Sequence, residues 1–220
     1  MNQIFPLLIA LAVTCCSAYA QSKPSASPAP PPKAAAGALP HDRHDGLTIS
    51  VDPYTDPARA KEKFGKNNPR EAVILPLEVI MQNDTNQPIR ITLKTVQLEV
   101  RFHNGSRQDI DWLSAEETAV LVAHPGGNPS SPGQRRLPVP LGIPVGDKKA
   151  EKIAAALRPF TFDADIIPPN GKVQGFLFFN MGRDMELAPN ASLYVPDIVI
   201  VPSNKVMIFF DVPLSVSAEP

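Results

Sequence analysis

AVILPLEVIMQNDTNQPIRI, residues 72–91, is the stretch of this 220-residue chain that decides the fold class. Every second residue from Val73 to Met81 is apolar, and this period of two predicts a strand with one buried face. Residues 83–86 are Asn, Asp, Thr and Asn, which favour turns. The stretch therefore predicts a strand, a turn and the start of a second strand.

The residues that follow contain a change in this alternation. Apolar residues stand at odd positions from Ile89 to Leu93 and at even positions from Val96 to Phe102. A shift of one residue turns the opposite face of a strand inward, so we expect a bulge or a break near residues 94–95. Asn104-Gly105 then predicts a hairpin turn. Further β-branched and aromatic runs occupy residues 47–53, 172–181, 191–201 and 204–214.

Helical signals are few and lie between the strands. Ser114 and Glu117 have the spacing of a capping box, and Asp147 precedes an amphipathic run at residues 148–158. Residues 56–65 predict one more short helix. The sequence therefore predicts a mainly β protein, an antiparallel immunoglobulin-like β-sandwich with two or three short helices in excursions between strands. The largest excursion is an insertion at about residues 103–171.

Proline is unusually abundant, at 26 of 220 residues. RRLPVPLGIPVG, residues 135–146, alternates proline with apolar residues, so that Pro138, Pro140 and Pro144 would share one edge of a strand. Because proline donates no backbone hydrogen bond, we favour an edge strand that is protected from further pairing. An ordered loop and a polyproline ligand for a partner are the alternatives.

The first residues predict export. Residues 1–20 contain an apolar run and end in Ala18-Tyr19-Ala20, a pattern typical of a signal peptide cleaved before Gln21. Acylation at Cys15 or Cys16 is the alternative route. Cleavage would leave a mature chain with no cysteine and no transmembrane helix. We therefore expect a periplasmic, cell-surface or extracellular protein.

The mature chain is expected to contain one domain. Residues 21–44 are rich in proline and alanine and predict a flexible tether. The histidines and aspartates of residues 41–45 would then form a solvated hinge rather than a metal site. A single sandwich domain would span residues 45–215, followed by a C-terminal tail at residues 216–220.

Charge and motifs argue against several functions. The net charge of −1 provides no electrostatic attraction for nucleic acid. The chain contains neither the nucleophile elbow G-x-S-x-G nor a glycine-rich phosphate-binding motif. We therefore predict no catalytic residue, no metal site and no cofactor.

Three runs carry a family resemblance: VIMQNDTNQPIRI at residues 79–91, VQLEVRFHNGSRQDI at 96–110 and PPNGKVQGFLFFNM at 168–181. They resemble the immunoglobulin-like sandwich modules of exported and lipid-anchored bacterial proteins. In those modules a strand ends in an Asn-rich turn, a hairpin carries Asn-Gly, and a late strand follows a Pro-Asn-Gly turn. Members are mostly uncharacterised or act as binding and envelope modules. The resemblance implies a fold and a compartment but no functional residue.

We accordingly predict a non-catalytic binding or envelope-associated protein of open oligomeric state. Its partner-binding residues are expected to be His124, Asn128, Arg135 and Arg136, because arginines on an exposed loop suit an acidic patch on a partner. The alternative is a hydrolase or carbohydrate-active enzyme with a site in the 103–171 excursion. That site would combine His124 with four carboxylates: Asp109, Asp111, Glu116 and Glu117.

Overall fold

The computed structural model describes residues 39–125, 147–182 and 184–215. Twelve strands and three α-helices are found in these residues, together with five short 3₁₀ turns. The helices are α1 (Pro57–Phe64), α2 (Ala115–Ala123) and α3 (Lys148–Leu157). The strands are β1 (His41–His44), β2 (Leu47–Pro53), β3 (Ile74–Asn83), β4 (Ile89–Ile91), β5 (Gln97–Arg101), β6 (Arg107–Leu113), β7 (Ile166–Ile167), β8 (Lys172–Asn180), β9 (Ala191–Val195), β10 (Ile198–Ile200), β11 (Lys205–Val206) and β12 (Phe210–Pro213).

The strands form two sheets. The larger has the order β1-β2-β3-β8-β6-β5-β9-β12, and the smaller has the order β11-β10-β4-β7. Neighbouring strands in both sheets run antiparallel. The mainly β, antiparallel architecture with few short helices that the sequence predicts is therefore confirmed.

The larger sheet curls until its first and last strands adjoin. The backbone N–H of Asp211 in β12 donates to the carboxylate of Asp42 in β1 at 3.2 Å. The ring of His44 lies edge-on against Phe210, with 4.9 Å between the ring centroids. The sheet is therefore nearly closed and barrel-like, a feature that the predicted immunoglobulin-like sandwich did not include.

Strands β3 and β8 lie in the middle of the larger sheet and are buried on both faces. One face of β8 places Leu177 and Phe179 in the main apolar core, between the two sheets. The other face places Phe176 and Phe178 in a second apolar cluster against the three helices. Gly175 permits the close packing, since a Cβ there would lie 2.6 Å from the Cα of Phe162.

The change in alternation marks a crossing between the sheets. Strand β4 belongs to the smaller sheet and β5 to the larger, and a 3₁₀ turn at Leu93–Thr95 separates them. The indole N–H of Trp112 donates to the Leu93 carbonyl at 2.8 Å and holds this turn. The predicted break is thus confirmed, and the predicted Asn104-Gly105 hairpin joins β5 to β6.

The ordered fold begins earlier than the sequence predicts. Residues 41–44, which we assigned to the end of the tether, form β1 and pair with β2. The description of this segment as a solvated hinge is therefore wrong, because backbone pairing to a strand edge orders a segment that has no large apolar side chain. Residues 1–38, with the signal peptide and most of the tether, lie outside the described residues, as do residues 216–220 of the tail.

All three predicted helices are present, and α2 and α3 begin at the caps that the sequence predicts. Ser114 and Glu117 form a reciprocal capping box at the start of α2, and the side chains of Asp56 and Asp147 cap α1 and α3. Within the residues that the structure describes, no helix has the length and apolar character needed to cross a bilayer. The proline-rich stretch at residues 135–146 lies outside them, so its edge strand stays a prediction.

Candidate functional site

Polar side chains cover the outer face of strands β6, β5, β9 and β12, which we call the charged face. Along β5, Leu98 and Val100 enter the main core, so the alternate residues point outward. The same alternation in the paired strands brings several side chains onto this face: Gln97, Glu99, Arg101, Arg107, Asp109, Asp111, Ser192, Tyr194 and Asp211. Charged residues from distant parts of the chain thereby become neighbours.

A surface pocket of about 340 Å³ lies in the charged face, and we call it the acidic pocket. Three carboxylates, one guanidinium, one amide and two aromatic rings line it: Glu99, Asp109, Asp211, Arg107, Gln97, Tyr194 and Phe209. With its carboxylates ionised, the lining carries a net charge of −2, from three acids and one base. The pocket therefore favours a cationic group over an anionic one.

Ion pairs fix the side chains around the acidic pocket. Glu99 and Asp109 face each other directly across β5 and β6. Arg107 donates to Glu99 Oε2 at 2.9 Å, and its Nε lies 3.8 Å from Asp109 Oδ1. On the other side, Arg101 lies 3.8 Å from Asp211. Each guanidinium is more than half exposed, so water screens these pairs and their net contribution to stability is small.

Glu99 is the buried member of this group, with 5% of its surface exposed. Burial raises the pKa of the Glu99 carboxyl, and the positive charge of Arg107 opposes that change. The negative charges of Asp211 and Asp109 raise the same pKa further. In addition, Asp211 Oδ1 is buried and has no hydrogen-bond partner within the described residues. Acceptors are thus in excess over donors at the base of the pocket.

An apolar segment borders the acidic pocket. Three large apolar side chains are more than half exposed there: Val206 at 69%, Ile208 at 63% and Phe209 at 51%. In the part of the chain that the structure describes, two other large apolar residues are exposed, Ile166 at 52% and Val73 at 39%. Phe209 lines the pocket and lies 5.5 Å from the ring of Tyr194. We call residues 205–209 the apolar edge segment.

Of the four predicted partner-binding residues, His124 alone is described by the structure. It ends α2, and its Nε2 lies 2.8 Å from Oδ2 of Asp147, the N-cap of α3. Lys149 makes a second link between the two helices by donating to the Ala123 carbonyl at 2.6 Å. His124 therefore joins two helix ends. Asn128, Arg135 and Arg136 lie outside the described residues.

The five residues of the alternative enzyme site have separate partners. Glu116 pairs with Arg158 at 2.8 Å, while Glu117 belongs to the capping box of α2. Asp111 accepts a hydrogen bond from Gln97. Only Asp109 among the five lines the acidic pocket. The structure does not bring these side chains to a common site.

Residues 41–45 contain two histidines and two aspartates, which are potential metal ligands. In the structure, His44 pairs with Asp42 at 2.9 Å, and His41 Nδ1 lies 3.0 Å from the Leu39 carbonyl. No group of three or more His, Cys, Asp or Glu side chains arranged for a metal is found in residues 39–125, 147–182 and 184–215. The three carboxylates of the acidic pocket are each near an arginine: Glu99 and Asp109 near Arg107, and Asp211 near Arg101.

Sequence reasoning did not identify the charged face as a site. The available signal was the alternation of charged residues at Glu99 and Arg101 and again at Arg107 and Asp109, which is also the pattern of an ordinary solvated sheet face. Tyr194 and the apolar edge segment lie far away along the chain. Only the pairing of β5 with β9 and of β9 with β12 brings the components together.

Comparisons with known proteins give little further information. No protein-family model and no curated protein sequence matches this chain. Among solved structures, the chain is similar to a crystal structure described as a functionally unknown protein from Listeria monocytogenes EGD-e. The two share 10% sequence identity, the match covers 80% of this chain and 82% of that chain, and the TM-score is 0.36.

Proposed function

We propose that this chain is a non-catalytic binding module that holds a partner protein against the charged face and the apolar edge segment. The observation that carries the proposal is the exposure of Val206, Ile208 and Phe209 within four consecutive residues beside the acidic pocket. Exposed apolar clusters with a polar rim are typical of interaction sites, because covering them removes apolar surface from water. Aromatic residues and arginine are also common at interface centres.

The positions of the titratable groups support binding over hydrolysis. A hydrolytic site needs an acid, a base and a substrate cleft in reach of one another. Three of the side chains predicted for such a site belong instead to a helix cap, an ion pair and a cross-strand hydrogen bond: Glu117, Glu116 and Asp111. The acidic pocket has carboxylates, but its buried Glu99 is held by Arg107. These contacts favour a recognition surface.

Export and the sandwich class remain part of this proposal. Residues 1–20 have the pattern of a signal peptide, and residues 21–38 have the composition of a tether. We propose an envelope-associated or secreted module whose tether presents the domain to its partner. Two antiparallel sheets around one apolar core support the immunoglobulin-like class, whereas the near closure of the larger sheet is an addition to it.

Affinity capture with matched variants tests this function. The bait is the chain from Gln21, incubated with an envelope extract of the source organism. We expect the wild type to retain a reproducible partner that the double variant Ile208→Ser, Phe209→Ser loses. Ile166→Ser is the control, because Ile166 is 52% exposed on the opposite edge strand of the smaller sheet. Equal capture by all three chains would exclude the apolar edge segment.

A further inference from the structure

The free edge of β12 is closed to further strand pairing. Phe210 and Val212 lie opposite Val195 and Leu193, and Leu214 N–H donates to the Ala191 carbonyl, so residues 211 and 213 direct their backbone groups away from β9. The Asp211 N–H is already donated to the Asp42 carboxylate. Proline at 213 has no N–H to donate. Together these features prevent another strand from pairing here.

The free edge of β11 has neither a side chain that accepts its outward N–H within the described residues nor a proline. Its register pairs Val206 with Val199, and the next residue, Met207, donates its N–H to the Ile198 carbonyl at 2.9 Å. Because hydrogen-bonded positions alternate along an antiparallel pair, the N–H and C=O of Val206 point away from β10. No strand pairs with this side of β11 among the described residues.

The side chains along the free edge of β11 are also accessible to a partner. Met207 is buried, whereas Val206 and Ile208 are exposed and two residues apart, as on one face of an extended chain. Phe209 continues from them into the acidic pocket. A chain laid along this edge would therefore place apolar side chains on Val206 and Ile208 and one more side chain near the carboxylates.

We propose that the partner binds by strand addition: an extended segment of a partner protein pairs with the outer edge of β11 and inserts a lysine or arginine into the acidic pocket. The basic side chain is required by charge complementarity, because the pocket lining has three carboxylates and one guanidinium. This inference rests on the proposed function and names the binding mode and the chemistry of the occupant.

A peptide selection tests the inference directly. A displayed library of random dodecapeptides is selected on the chain from Gln21, and the recovered peptides are synthesised for binding measurements. We expect apolar residues at alternate positions beside a lysine or arginine. Methylating alternate backbone nitrogens of the peptide should abolish binding, because it removes the donors of the added strand. A selection that yields no binder, or binders indifferent to N-methylation, would overturn strand addition.

Two substitutions locate the peptide on the protein. Val206→Pro removes the outward N–H but no bond to β10, and we expect it to weaken binding about tenfold or more, whereas Val206→Thr keeps the N–H, loses only part of the apolar contact and should weaken binding much less. Asp109→Asn with Asp211→Asn should weaken peptides that carry lysine and leave their norleucine analogues unchanged. Thermal unfolding of each variant establishes that it is folded. Binding unaffected by both changes would contradict the proposal.

The outcomes separate the inference from the function on which it rests. If Ile208→Ser, Phe209→Ser abolishes partner capture but Val206→Pro does not, the surface binds its partner without strand addition. If neither change affects capture, the proposed function fails as well. Sedimentation of the wild type tests the remaining occupant: a dimer that Val206→Pro dissociates would mean that β11 pairs with a second copy, and the proposal would be wrong.

Discussion

The carboxyl group of Glu99 is expected to make the stability of the folded chain depend on pH. It is nearly fully buried, faces Asp109 across the strand pair and accepts one bond from Arg107. Burial and the neighbouring acids raise its pKa in the folded chain above the ordinary glutamate value. The folded chain therefore holds this proton at pH values where the unfolded chain has already lost it.

We predict from this raised pKa that the free energy of unfolding declines as pH rises through the ordinary glutamate pKa toward the raised one. Folding takes up a proton in that window, so less acidic solution favours the unfolded chain. Glu99→Gln cannot titrate and should lack this part of the decline. Urea titrations at closely spaced pH values measure it, with the exposed Glu62→Gln as control. Parallel profiles for wild type and Glu99→Gln would contradict the prediction.

Asn83 is a polar residue on which the end of β3 depends. Its side chain is fully buried, donates to the carbonyls of Gln87 and Pro168, and accepts from the N–H and hydroxyl of Thr85. It thereby fixes the turn after β3 and links it to the segment that follows β7. The Asn-rich turn that the sequence predicted is thus held by one amide.

Replacing that amide should be costly. We expect Asn83→Ala to lower the free energy of unfolding by roughly 2–4 kcal/mol, because the hydrogen bonds of one fully buried side chain are lost at once. Asn104→Ala is the control, since Asn104 is exposed in a hairpin turn and, among the described residues, accepts from Ser106 alone. Chemical denaturation of both variants makes the comparison. Similar losses for the two would show that burial of Asn83 is not the cause.

At the scale of elements, β8 connects the two apolar clusters. Its alternate residues enter the main core and the helix-covered cluster, so that α1, α2 and α3 pack on a strand that is also the middle of the larger sheet. Phe176 lies within 5.1 Å of Phe64 and 5.0 Å of Tyr54, measured between ring centroids. Substitutions in β8 should therefore disturb the packing of both clusters.

Phe179 tests the inner side of β8. It is fully buried in the main core, and Phe179→Ala should lower the free energy of unfolding by roughly 3–5 kcal/mol through lost transfer energy and a cavity. The control is Val206→Ala, whose side chain is 69% exposed and should change stability by less than about 0.5 kcal/mol. Urea unfolding measures both. A small effect of Phe179→Ala would contradict the observed register of β8.

Local pattern predicted the elements better than their partners. Alternation, turn residues and caps identified β2, β3, β5, β6 and β8 and all three helices, since these depend on neighbours in sequence. Which strands pair is a non-local matter, and no local signal placed β9 between β5 and β12. The charged face is built from that pairing, which is why the sequence did not predict it as a site.

At the scale of the whole molecule, the near closure of the larger sheet has one source outside the predicted domain. Strand β1 has mostly polar residues and lies in what composition described as a tether. Its pairing with β2 is local, but its contact with β12 depends on residues more than one hundred positions away in the chain, Asp211 among them. Composition cannot report such a contact, so the domain was predicted to begin too late.

We predict that β1 is an integral part of the fold. A chain that begins at residue 46 should be less stable than one that begins at residue 39 by on the order of 2–4 kcal/mol, because it loses the backbone bonds of β1 and the contacts of Asp42 and His44. It should also self-associate, since removal of β1 exposes the edge of β2 and frees the Asp211 N–H at the edge of β12. Chemical denaturation and sedimentation measure the two effects.

Asp42→Ala in the longer chain is the matched variant, because it removes the carboxylate that closes the sheet but keeps the β1 backbone. Equal stability of the two chain lengths would mean that residues 41–44 belong to the tether and not to the fold. Loss of stability without self-association would mean that the near closure does not protect the sheet edges.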